Sequence, residues 1–528
     1  MSRLSARYGG IFVLLAGALG VAAFAPLDWY PLAYLSLAIL FNQWLSDTPR
    51  QALRHGALYG LGYFGAGVSW VYVSVHTYGH VAAPAAALVT AALVIYLGAY
   101  PALLGYCLTR FLAASRPALR LVAFAAGWIF SEWLRGWLFT GFPWLTLGSS
   151  QIDSALAGYA PVAGVYGTGL AAALTAALLV ALKRRPARLP ALLALVMIWA
   201  GGYLLDRVEW TSVRGAPLTV ALIQGNIPQE EKWVPENLKH TLTRYMQRTF
   251  DLPPTDLVVW PETAIPAFYD QMQDSLIPQL DSELRKTHTV LLTGIPVLDK
   301  TTWRYYNSVV SLGEKHRFYY KQHLVPFGEY LPLRGLIGDS LDALAVPNAD
   351  FSSGGDNQPL LVAHGYPVAA SICFEVAFAG EIRRDMPEAA LLVNVSNDGW
   401  FGNSLAPHQH LEMARLRAKE TGRPMLRATN TGISAIIDHN GRIVARSPQF
   451  EEAVVTGTIT PRQGATPYVL TGNAPVVILT ALCLLGVLAG NPSQRGIIRV
   501  GDDVADPHKS SLSIHTLIQR KDAKYAKY

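Results

Sequence analysis

The sequence predicts a membrane α-helical bundle of about eight spans joined to an α/β domain. Three observations lead there. Apolar residues make up 51% of the 528 residues, and the acids are unevenly placed: only Asp28, Asp47, Glu132 and Asp153 precede residue 205. That acid-poor half divides into apolar runs whose connecting loops are alternately basic and free of Lys and Arg. From about residue 217 the pattern changes to short β-branched runs ending in Gly, Pro or Asn, with helical stretches between them.

The apolar runs lie at 9–26, 30–46, 55–76, 81–109, 118–140, 160–182 and 189–205, with an eighth at 468–490. A spanning helix needs roughly 17–25 residues. Arg3 and Arg7 precede the first run, and Arg50 and Arg54 follow the second. Arg110, Arg116 and Arg120 separate the fourth from the fifth. Lys183, Arg184, Arg185 and Arg188 separate the sixth from the seventh, and Arg495 and Arg499 follow the eighth. The loops around Leu27–Asp28 and His76–His80 carry no Lys or Arg. By the positive-inside rule, residues 1–205 form a bundle of about seven helices with a cytoplasmic start, and 206–467 lie on the outer face. Residues 468–491 return to the cytoplasm, leaving 492–528 as a polar cytoplasmic tail. Ala23-Phe24-Ala25 resembles a signal-peptide cleavage site, but Pro26 directly after it disfavours the cut. The Trp- and Gly-rich stretch Arg135–Trp144 reads as headgroup-level anchoring or as a lipid-contacting surface under the outer domain.

The net charge of +6 gives no case for a nucleic-acid partner, because the basic residues sit in short clusters that topology explains. Of the three cysteines, Cys107 and Cys483 fall in apolar runs and Cys373 stands alone in the outer half, so no disulfide framework is possible there. No metal or cofactor is expected.

In the outer half the predicted strands are Leu218–Gln224, Asp256–Trp260, Val290–Gly294, Ser308–Leu312, Pro367–Ile372, Leu391–Val395, Leu426–Asn430, Ser434–Asp438 and Val454–Ile459. Helices are expected over Pro235–Phe250, Met272–Thr287 and His408–Thr421. Continuously apolar strands alternating with helices argue for covered sheets, with the chemistry just past the strands' carboxyl ends. There the sequence places Glu262 after Trp260-Pro261, Lys321 and Glu329 on a Pro- and Gly-bent segment, and Cys373-Phe374-Glu375. A cysteine nucleophile needs a group to take its proton and a donor to hold the oxyanion. Glu262 can be the base, and Lys321 can stabilise the thiolate, lowering the thiol pKa from about 8.5, and then the oxyanion. Glu329 or Glu375 can keep Lys321 charged and oriented.

Trp260-Pro-Glu262, Lys321 with Glu329, and Cys373-Phe-Glu375 resemble the Glu-Lys-Cys triad of the nitrilase superfamily, and Asn394–Gly402 is similar as well. Such a domain between seven spans and one more resembles the apolipoprotein N-acyltransferase family of Gram-negative bacteria, as do Gly141–Trp144 and Lys321–Tyr330. The resemblance implies an α-β-β-α sandwich in a multi-pass protein of the bacterial inner membrane, with its catalytic domain periplasmic. It implies that an acyl chain from a phospholipid, usually phosphatidylethanolamine, passes through a cysteine thioester to the α-amino group of diacylglyceryl-cysteine on apolipoproteins. Carried over, Glu262 is the base, Lys321 the oxyanion stabiliser and Cys373 the nucleophile, with Glu329 and Glu375 in support. Phe374 stands where the family often has Tyr, so no hydroxyl is available there. Trp233 matches an aromatic of a substrate-gating loop. Leu331–Phe351, with Leu333, Leu336, Ile337, Leu341 and Leu344, reads either as a lid dipping toward lipid or as an ordinary surface excursion. Competing classes are a membrane-tethered amidase using the same triad with water, and a transporter, which the scarcity of ionisable residues in the spans disfavours.

Overall fold

The computed structural model describes residues 3–330 and 351–489; the segment read as a lid (331–350) and the tail (490–528) lie outside the described residues. Each apolar run contains a helix: α1 Arg3–Gly20, α2 Pro31–Trp44, α3 Pro49–Gly67, α4 Ala83–Phe111, α5 Pro117–Arg135, α6 Ala160–Ala181, α7 Arg188–Leu205 and, at the far end, Ala474–Ala489. Among the described residues three helices are long and apolar enough to cross a membrane: Ala83–Phe111, Ala155–Ala181 and Arg185–Leu205. Gly9–Ala23 and Ala474–Ala489 are shorter apolar helices. The third helix starts earlier than its apolar run because Thr48 accepts from the Gln51 N–H, Gln51 returns the bond to Thr48 N, and Pro49 sits at the first position. The backbones of α3 and α4 approach closely: a Cβ on Gly60 would lie 2.6 Å from Gly98 Cα.

The domain that follows the seventh helix holds two six-stranded sheets. The first contains β1 Leu218–Gln224, β2 Leu257–Val259, β3 Val290–Gly294, β4 Ser308–Leu312 and β5 Phe318–Tyr320. The second contains β6 Leu361–Ala363, β7 Tyr366–Ile372, β8 Leu391–Ser396, β9 Met425–Thr429, β10 Ala435–Ile437 and β11 Ile443–Arg446. Strand β12, Ala453–Ile459, returns to pair antiparallel with β1. In each sheet three central strands run parallel, β1-β2-β3 and β7-β8-β9, and their flanking strands run antiparallel.

The period of two along these strands builds the layers. Leu222, Val259, Leu292 and Val309 share one core with Ile372, Val393, Val395 and Leu426, which packs the sheets face to face. Their alternates Ile223, Val258 and Leu291 pack on Tyr245, Leu280 and Leu284, on helices α8 Leu238–Phe250 and α9 Leu276–Lys286. On the other side Ala369, Leu392 and Met425 pack on Leu411, Ala414 and Ala418 of α10, Ala406–Thr421. The result is the α-β-β-α order.

The bundle is bonded to this domain. Glu420 of α10 accepts from the Val165 N–H of α6 at 2.6 Å and pairs with Arg417 at 2.9 Å, all buried. Arg415 pairs with Asp153, and the Ser74 hydroxyl donates to the Trp400 carbonyl at 2.8 Å.

Candidate active site

Each of the three predicted groups stands at a strand end. Cys373 follows β7 directly, Lys321 follows β5 directly, and Glu262 comes three residues after β2. Cys373 has φ 52°, a left-handed conformation that costs a non-glycine residue of order 1–3 kcal/mol and must be held by its surroundings. Two devices hold it. Glu375, fully buried, accepts from the backbone N–H of Ile372 (2.6 Å), Gln322 (2.7 Å) and His323 (3.1 Å) and from the Tyr319 hydroxyl (3.0 Å). It thus ties the turn after β7 to the one after β5. On the other side His410 Nε2 lies 3.1 Å from the Cys373 carbonyl, an acceptor, so Nε2 carries the proton. Burial holds the His410 pKa down, keeping the ring neutral, and its Nδ1 faces Arg427 (2.9 Å), which pairs with Asp398 at 2.8 Å.

Lys321, only 1% exposed, pairs with Glu329 Oε1 at 2.8 Å and reaches Glu262 Oε1 at 3.8 Å. The Val325 N–H donates to Glu329 Oε2 at 2.8 Å, folding the segment back on itself. Asn307 bridges the two carboxylates, donating to Glu262 at 2.7 Å and Glu329 at 3.2 Å. The second Glu262 oxygen accepts from the Asn397 N–H at 2.8 Å. Glu329 is therefore the partner that orients Lys321. Glu375 makes no hydrogen bond to it and serves the backbone.

Lys321 does draw the thiol down, as expected, but it is outweighed: burial pushes Cys373 up to about 12, and the Glu262 charge adds to that rise. Burial alone would lower Lys321, but the charges of Glu329 and Glu262 hold it above its ordinary value. The resting site therefore holds a neutral thiol beside a charged ammonium.

Phe374, next to Cys373, packs among rings: Phe378 at 5.0 Å, His323 at 5.8 Å, and Phe142 and Trp144 at 6.4 Å each. Trp144 is fully buried and donates to Gln409 at 2.6 Å, while Arg135 donates to the carbonyls of Phe142 (2.5 Å) and Trp144 (2.6 Å). Headgroup anchoring is thus corrected for Trp144, which is buried against the two-sheet domain. Trp137 and Phe139 remain exposed. Among the described residues no group of three or more His, Cys, Asp and Glu is placed to hold a metal.

Residues 16–178 match the apolipoprotein N-acyltransferase N-terminal domain, and residues 219–468 match the carbon-nitrogen hydrolase family. The apolipoprotein N-acyltransferase of Methylococcus capsulatus is 47% identical over 89% of this chain and 94% of its own length. Those of Azotobacter vinelandii and Nitrosomonas europaea are 44% and 45% identical, each over 92% of this chain and over 96% and 99% of their own. The chain belongs to the apolipoprotein N-acyltransferase family. It is an enzyme of lipoprotein biosynthesis, membrane-associated, with a nitrilase-superfamily domain. Among solved structures, Nit3 of Saccharomyces cerevisiae is 20% identical, covers 48% of this chain and 93% of its own, and has a TM-score of 0.37.

In this family member Trp233 is 47% exposed, on the loop that follows β1. Its neighbour Lys232 is the buried residue, 5% exposed, donating to the Glu262 carbonyl at 2.9 Å. Sequence reading missed it, because Glu230-Glu231-Lys232 looks like a solvated charge run. Gly294 has a comparable hidden role. A Cβ there would lie 2.6 Å from the Pro261 carbonyl oxygen and 2.8 Å from Glu262 Cα. Gly294→Ala should therefore displace Glu262, lowering stability by about 1–3 kcal/mol and the transfer rate by about 10²-fold. Thermal unfolding and a phospholipid-to-lipopeptide assay measure the two; a wild-type rate would release Glu262 from its assigned geometry.

Proposed function

We propose that this chain moves a fatty acyl chain from a phospholipid, phosphatidylethanolamine foremost, through a thioester on Cys373, to the α-amino group of diacylglyceryl-cysteine on apolipoproteins. Glu262 takes the thiol proton as sulfur attacks the ester carbonyl. Lys321 and a backbone N–H after Cys373 stabilise the tetrahedral oxyanion. Collapse expels the glycerol alkoxide, which takes the proton from Glu262 and leaves as the lysophospholipid. The acceptor amine then attacks the thioester, its proton passes to Glu262, and the expelled thiolate recovers that proton as the amide forms. Splitting the reaction this way lets two bulky lipid substrates use one pocket in turn.

The carrying observation is the meeting of Glu262, Lys321 and Cys373 in one buried site whose wall includes Phe142 and Trp144 from the helical half. An acyl chain in the bilayer and a polar headgroup chemistry both need that junction. The same reading takes residues 1–205 as about seven spans, 206–467 as the periplasmic catalytic domain, and 468–491 as a last span, with both termini cytoplasmic. The test is mass spectrometry of protein isolated from membranes. A hydroxylamine-labile fatty acyl mass on the Cys373 peptide is expected; an unmodified peptide after incubation with phospholipid refutes the thioester.

A further inference from the structure

We propose that Lys232 is a second ammonium of the active site, a positioning residue that balances the charge of ionised Cys373 and sets how readily the nucleophile forms. The inference rests on the reading of Cys373 as nucleophile. It begins with an imbalance. Around the thiol, Glu262 and Glu329 share a single ammonium, Lys321. Two carboxylates and one cation leave a net negative site, which opposes a thiolate.

Lys232 supplies the missing charge. It is 5% exposed, and it spends its ammonium on a backbone oxygen, the Glu262 carbonyl at 2.9 Å. Among the described residues no carboxylate oxygen lies within the 4.0 Å of an ion pair. A lysine buried at such expense without a carboxylate partner keeps donors free for an anion that appears only during reaction. The charged groups acting on it are Glu262 after β2 and Cys373 after β7. Cys373 in turn feels Lys321 after β5 and Asp398 after β8, and Asp398 is paired with Arg427 of β9 and bonded to His410 of α10. Glu230 and Glu231 precede it on its own loop. Burial lowers Lys232 to about 8, against the opposing pull of Glu262 and Cys373. It is cationic below that pH and neutral above it.

The test is iodoacetamide labelling of Cys373 as a function of pH. It uses full-length protein in detergent after hydroxylamine has cleared any thioester, read by mass on the Cys373 peptide. Lys232→Gln keeps a donor for the Glu262 carbonyl but removes the charge. It should slow labelling about tenfold at pH 7.5, and Lys232→Arg should restore it. A Gln variant that labels at the wild-type rate makes the bond purely structural and overturns the proposal. The wild type gives an independent reading: the rate should climb tenfold per pH unit below about pH 8 and flatten above it as Lys232 loses its proton. An unbroken tenfold rise to pH 9.5 likewise overturns it. Labelling needs no acyl transfer, so a missing acyl mass would refute the thioester and leave this profile readable.

Discussion

Cys373→Ala is expected to abolish acyl-enzyme formation and to cut transfer by at least about 10⁴-fold, because the group proposed to carry the covalent intermediate is gone. The loss should be chemical rather than structural. Cys373 is held by its backbone, through the His410 bond to its carbonyl and the Glu375 bond to the Ile372 N–H, and both survive removal of sulfur. Stability should change by no more than about 1 kcal/mol. Cys373→Ser should retain a trace at most. Burial already pushes the thiol up to about 12, and an alcohol in the same surroundings starts far higher, so Glu262 cannot draw its proton as the attack proceeds. Radiolabelled phospholipid and a diacylglyceryl peptide in proteoliposomes measure the rate, and thermal unfolding checks the fold. An Ala variant that transfers at the wild-type rate would remove Cys373 from the chemistry.

How much of this was legible in the sequence follows from which forces act locally. Leu218–Gln224, Val290–Gly294 and Ser308–Leu312 were read with their observed bounds, because their middle strands are buried on both faces and pattern as continuous apolar runs. Phe318–Tyr320, Leu361–Ala363 and Ile443–Arg446 were not, since three- and four-residue edge strands carry too little periodicity. The hairpin at 297–306 was missed for the same reason. Glu262, Lys321 and Cys373 stand out in the sequence because each abruptly interrupts an apolar stretch. Lys232 was not, because only the fold turns its charged loop inward over Glu262. Trp144 was misread by its own composition: the same ring suits a headgroup layer and a buried wedge, and only the Gln409 bond decides. The direction of the Cys373 shift was also beyond reach, since a neighbouring ammonium is visible in a motif but the depth of burial is not.

Lys321→Met tests the other half of the site, and its two consequences can be separated. Loss of the oxyanion donor should reduce transfer by about 10²–10³-fold. Loss of the cation should also cost about 3–5 kcal/mol of stability, because Glu329 and Glu262 would stay buried without the ammonium between them. A falling rate in this variant alone therefore does not identify a chemical role. Adding Glu329→Gln neutralises the stranded carboxylate and keeps an amide that can still accept the Val325 N–H. The double variant should regain most of the lost melting temperature, while its transfer rate stays as low as that of Lys321→Met. If the rate recovers along with stability, Lys321 is only the counter-ion that keeps two carboxylates together. If stability alone recovers, the ammonium acts on the reacting carbonyl, and the acids around it exist to keep it charged where sulfur attacks.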